Sequence, residues 1–154
     1  MSTFSETITL TNAVDRGLAE RGLISRAEIR ALTLDACVDT GSWFLVINEE
    51  VRAALGLRLK GTVLSELADG TTAEYGMTEG VDVRWKDREF TLRAQLIPTA
   101  NEVLFGAAPM ESLDLMADPV DERLVGRHGD RAVYRLKTAI PGGPPRRREA
   151  ETRR

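Results

Sequence analysis

The sequence predicts a mainly β fold with two or three short helices, and three observations carry that prediction. Polar and apolar residues alternate at Thr7-Ile-Thr-Leu-Thr and again over Ala31–Val38, Trp43-Phe-Leu-Val-Ile47 is apolar on both faces, and Thr62 to Ile97 reads as successive hairpins. At 154 residues and 17.0 kDa the chain suits one domain, expected over residues 1–140, followed by a disordered Arg-rich tail over residues 141–154.

The alternation at Thr7–Thr11 gives a first, half-buried strand. Gly17 and Gly22 then interrupt residues 12–30, where Ser25-x-x-Glu28 has the spacing of a capping box and predicts a short helix after a loop. In the next strand Leu32, Leu34, Ala36 and Val38 share one face, and the strand delivers Asp39-Thr40-Gly41-Ser42 to its end. The apolar run at residues 43–47 predicts a strand buried from both sides, with Trp43 expected in the core and a wall of a binding cleft as its other reading. Asn48 can cap a helix over residues 49–55, where Glu49 and Glu50 suit the first turn and Gly56 the stop. Beyond it, Val63-Leu64, a turn at Asp69-Gly70, a long strand to Trp85, a turn at residues 86–88 and the alternation of Phe90, Leu92, Ala94 and Leu96 build the hairpins. Gly76 and Gly80 mark bulges or a bend, as a small curved barrel needs. Val103-Leu-Phe105 is a short strand stopped by Gly106, Pro109 opens a helix with Met110 and Leu113, and strands at residues 115–117, 124–125 and 132–136 complete the fold.

Several chemistries are excluded by what the chain lacks. One cysteine, Cys37, permits no internal disulfide, and with one histidine, His128, it cannot make a structural Cys/His zinc site. His128, between Arg127 and Gly129, reads as a solvated turn residue, which weakens serine or cysteine nucleophile schemes that need a histidine base. No glycine-rich phosphate loop occurs, so neither cofactor nor metal is expected. The apolar runs are too short to span a bilayer and no secretory signal is visible, which predicts a cytoplasmic protein away from the membrane. The net charge of −3 divides into +3 on residues 141–154 and −6 on the remainder; the five tail arginines read as solvated rather than as a nucleic-acid site.

Asp39-Thr40-Gly41 at the junction of two strands places a carboxylate where a turn alone would account for it. A second feature lies downstream: Leu104-Phe105-Gly106, leading into a short helix, with the Asp69-Gly70 hairpin between. In this order the chain resembles one lobe of the retropepsin-like aspartic peptidases, over roughly residues 31–125, and the resemblance implies a small closed acid-protease β-barrel lobe. It also implies catalytic roles for Asp39, Thr40 and Gly41, with Asp39 supplied twice across a homodimer axis, Thr40 bracing the two loops and Gly41 allowing close approach of substrate backbone. Ala68, Asp69, Gly70 and Thr71 would form a flap over the peptide substrate, with Ser42 and Trp43 beside it.

The residue types make independent chemical sense. Hydrolysis without metal or covalent intermediate needs one group to take a proton from water and another to protonate the carbonyl oxygen, and two carboxylates sharing a proton do both. The chain departs from retroviral members, which carry an Asp and an Arg that pair where this sequence has Trp43 and Ala107. The expectation is a bacterial, cytoplasmic aspartic endopeptidase. The alternative is a non-catalytic module of the same fold that binds a peptide or protein partner by strand addition.

Overall fold

The structure is a computed structural model, and it describes residues 3–137 and 141–142. The tail expected at residues 141–154 lies outside the described residues save Pro141 and Gly142. The fold is mainly β, as the alternation predicted.

Strand β1 (Phe4–Asn12) pairs antiparallel with β2 (Ala31–Val38), Ile8 facing Leu34 and Phe4 facing Val38. The long strand β5 (Thr72–Trp85) divides its pairing. Its first half joins β4 (Leu59–Glu66) in a projecting hairpin, and its second half joins both β6 (Arg88–Leu96) and β1. β3 (Leu45–Ile47) runs parallel to β6, and β7 (Leu104–Phe105) lies between β2 and β3. The sheet order β1-β2-β7-β3-β6-β5-β4 therefore returns on itself through the β1–β5 pairing, so six strands form a ring and β4 hangs outside it. The register of β5 on β6 slips between Met77 and Gly80, the bend expected from the glycines. The hairpin arm leaves the ring beyond the Gly76–Leu96 pairing.

Inside the ring, Ile8, Leu10, Val38, Leu45, Ile47, Val81, Val83 and Phe105 make a dry core, each such side chain contributing about 1.5–3 kcal/mol by burial. Helix α2 (Glu49–Leu55) begins where Asn48 Oδ1 accepts from the Val51 amide at 3.0 Å, and it buries Leu55 in that core. Helix α3 (Ala107–Ser112) buries Pro109 and Met110, and a small sheet of β8 (Leu115–Asp118) and β9 (Arg123–Gly126) follows.

Four expectations are corrected. The helix in the 12–30 excursion is α1 (Ala13–Glu20), not one beginning at Ser25, where only a single 3-10 turn (Arg26–Glu28) forms. Asn12 is the cap that decides this: its buried Oδ1 accepts from the Asp15 amide while its Nδ2 donates to Leu55 O. Asp15 is in turn held by Arg30 through Nε at 2.8 Å and Nη2 at 2.9 Å. The second correction concerns residues 132–136, which form no strand. Among the described residues no strand pairs with them, and side chains hold them instead, with the Val133 amide donating to Asp114 Oδ2 and the Tyr134 hydroxyl to Ser112 O. Third, the strand after Ser42 is only Leu45–Ile47, and Trp43 is 56% exposed rather than core. Finally, His128 sits in a turn as read, but its ring nitrogen lies 2.9 Å from the Asp114 carboxylate instead of facing only water.

Candidate active site

The Asp39 loop is pinned from behind. β2 and β3 enter and leave it on either side of β7, so the loop must cross over the end of Phe105. Asp39 N donates to Phe105 O at 3.1 Å, Ala107 N donates to Ser42 O at 2.8 Å and Ala108 N to Trp43 O at 2.7 Å. These bonds tie Phe105 and the first turn of α3 to the two ends of the loop. Gly106 is required there, since a Cβ would stand 2.5 Å from Phe44 O and 2.6 Å from Ser42 O, distances that no backbone neighbour tolerates.

The loop also orients its own carboxylate. Gly41 N donates to Asp39 Oδ1 and Ser42 Oγ to Oδ2, both at 2.9 Å. Each oxygen thus accepts one neutral hydrogen bond, and among the described residues no cation pairs with the group. Asp39 is half-buried, and Thr40 and Gly41 are exposed on the loop.

Beside the loop opens a cleft of about 780 Å³. Gly41, Ser42, Trp43 and Phe44 form one side, β4 and the start of its turn from Val63 to Ala68 form the other, and Val46, Tyr75, Gln95, Ile97 and Leu104 line the remainder. Trp43, Leu64 and Leu67 present large apolar surfaces here to solvent, with Leu64 70% exposed. Such surface on a small domain suits a binding groove.

Of the residues proposed from the sequence, Gly41, Ser42, Trp43 and Ala68 meet in this cleft. Asp39 and Thr40 lie on the loop at its margin, and Asp69, Gly70 and Thr71 form the exposed hairpin tip without lining it. The tip is self-contained: Asp69 Oδ1 accepts from Thr71 N at 2.9 Å and from Thr71 Oγ1 at 2.6 Å, and Leu67 N donates to Thr71 O at 2.7 Å. The Thr71 hydroxyl, with its amide, holds the Asp69 carboxyl below its ordinary range. Gly70 takes φ +83°, which a side chain would strain.

Sequence reasoning missed Gln95, Ser65 and Tyr75. Alternation on β6 assigns Gln95 to the face opposite Leu96, which ordinarily meets water, but the projecting hairpin covers that face and leaves Gln95 only 4% exposed. The Arg88–Asp114 cluster was equally hidden. Arg88 Nη1 donates to Leu113 O and Asp114 O, its Nη2 to Gly129 O, and Asp114 receives Val133 N and His128 Nδ1.

No described helix is long and apolar enough to cross a membrane. No family model matches the chain, and no curated protein matches it. Among solved structures it is similar to a retropepsin-like aspartic protease from Rickettsia conorii, at 16% identity and a TM-score of 0.43, over 76% of this chain and 88% of that one.

Proposed function

We propose that this chain is one half of an aspartic endopeptidase, a retropepsin-like lobe that completes its site by pairing two-fold with a second copy. The observation that supports the reading best is the state of Asp39. Its carboxylate is aimed by two neutral donors of its own loop, lacks a neutralising cation among the described residues, and stands at the margin of an apolar cleft covered by a hairpin. A carboxylate serving only as a turn cap would need none of these surroundings.

In the dimer the two Asp39 groups approach to about 3 Å and share one proton, because like charges at that distance cannot both ionise. The ionised member takes a proton from water, whose oxygen attacks the peptide carbonyl carbon. The protonated member donates to the carbonyl oxygen, and the tetrahedral intermediate collapses with protonation of the departing amine. Thr40 braces the paired loops, and Gly41 lets substrate backbone approach. Ser42, Trp43 and Ala68 bound the peptide, and Asp69, Gly70 and Thr71 are the tip of the hairpin that lies over it. Trp43 and Ala107 stand where the retroviral pattern has its charged pair, so both charges are absent together and neither is left unpaired.

The deciding experiment is Asp39→Asn with a mixed peptide library. Cleavage should fall by at least about 10²-fold while thermal stability and the sedimenting dimer persist. Undiminished cleavage by Asp39→Asn overturns the mechanism. Peptide binding without cleavage by the wild type would instead favour the non-catalytic module.

A further inference from the structure

The cleft is bridged from floor to roof by one side-chain hydrogen bond. Gln95, on β6 at the floor, donates from Nε2 to Oγ of Ser65 on the hairpin strand β4, at 2.6 Å. Thirty residues separate the two in sequence, and both line the cleft. Elsewhere β4 is held through its ladder with β5, and β5 is paired with the floor strand β6 as far as Gly76–Leu96, so the hairpin beyond that pairing lies outside the β5–β6 ladder. The Thr62–Glu74 side-chain bond also lies within the hairpin. A buried glutamine amide costs free energy unless it is paired, so Gln95 favours whichever hairpin position brings Ser65 within reach.

We propose that Gln95 and Ser65 form a latch holding the β4–β5 hairpin against the cleft floor in the empty protein, and that a bound peptide replaces this bond. Gln95 is then a positioning residue, acting on substrate through the hairpin. In this proposal the latched form is binding-incompetent, and the apparent KM is the intrinsic value divided by the unlatched fraction. Once peptide is seated the latch is already broken, and kcat is untouched. The kinetic part rests on the peptidase reading; the hairpin motion does not.

Two measurements test it on the full chain. In the absence of peptide, backbone relaxation dispersion over residues 64–71 should report an open population raised about three- to tenfold by Ser65→Ala and by Gln95→Leu, the range one hydrogen bond spans. The double variant should add nothing further, and Ser65→Thr, which keeps the hydroxyl, should restore the wild-type profile. With a cleaved peptide, Ser65→Ala should lower KM by about the same three- to tenfold at constant kcat. Unchanged dispersion in Ser65→Ala overturns the latch, as does a KM that rises or a kcat that falls with it. If no peptide is cleaved even by the wild type, the peptidase reading fails and the dispersion result alone decides the latch.

Discussion

Asp39 and Asp114 occupy similar places in the chain, each just past the end of a regular element and each accepting a backbone amide, yet their surroundings differ in every other respect. Asp39 is half-buried, meets only neutral donors, and borders a cleft. Asp114 is 5% exposed and collects Arg88, His128 and the Val133 amide around one carboxylate. The Val133 amide lowers the Asp114 carboxyl below its usual range, aided by His128 and Arg88 and opposed by burial. A carboxylate with its partners complete is committed to the fold. One left without a countercharge is available for chemistry.

The comparison breaks if either aspartate does the other's work. The largest expected effect is on catalysis: Asp39→Asn should abolish cleavage with little change in melting temperature, whereas Asp114→Asn should lower the melting temperature and leave the kinetics of the folded fraction intact. Activity assays and thermal scans on the same preparations separate the two roles.

Next in size is Arg88→Met. It strips the donors from three carbonyl groups and leaves Asp114 without its buried cation, so denaturant unfolding should show a loss of about 3–5 kcal/mol. A loss below about 1 kcal/mol would show that the cluster does not anchor the C-terminal segment.

The acid limb of stability sharpens the contrast further. Asp114 and Asp15 both have folded values below their unfolded ones, Asp15 because of Arg30. Their stabilisation is complete above the unfolded carboxylate range, about 4, and is lost as pH falls from there towards the folded values. Unfolding followed against pH should therefore steepen below about pH 4, and the limb should flatten in Asp114→Asn. An identical limb in that variant would remove Asp114 from the account.

Trp43→Ala should have the smallest effect on stability. With more than half its surface in solvent, the side chain should cost about 1 kcal/mol when truncated, against 3–5 for a core tryptophan. The cleavage-site profile should shift nonetheless, because the indole lines the cleft. Cleavage profiling beside denaturation distinguishes a wall from a core residue.

Particular elements show why parts of the molecule were legible. Helix α2 was read with its bounds because Asn48, Glu49 and Gly56 act within one turn of it. The hairpins were read because Asp69-Gly70 and residues 86–88 punctuate alternating runs. Helix α1 was missed because Gly17 looked like an interruption, although its Cα faces open space and costs little more than propensity. Residues 132–136 read as a short strand because Val133, Tyr134 and Leu136 suit one, but a strand needs a neighbour's ladder, and residue type cannot tell whether one is there.

The sequence by itself determined the mainly β class, the Asp39-Thr40-Gly41 turn at a strand junction, the hairpin that follows it and the Leu104-Phe105-Gly106 segment. These depend on period, turn chemistry and glycine placement, which are expressed over a few residues. Tertiary structure alone decided that Trp43 faces a cleft, that Gln95 meets Ser65 across 30 residues, and that Arg88 reaches Gly129 across 41. Those outcomes follow from how the strands register and how the ring closes, and register is set by the whole set of pairings at once.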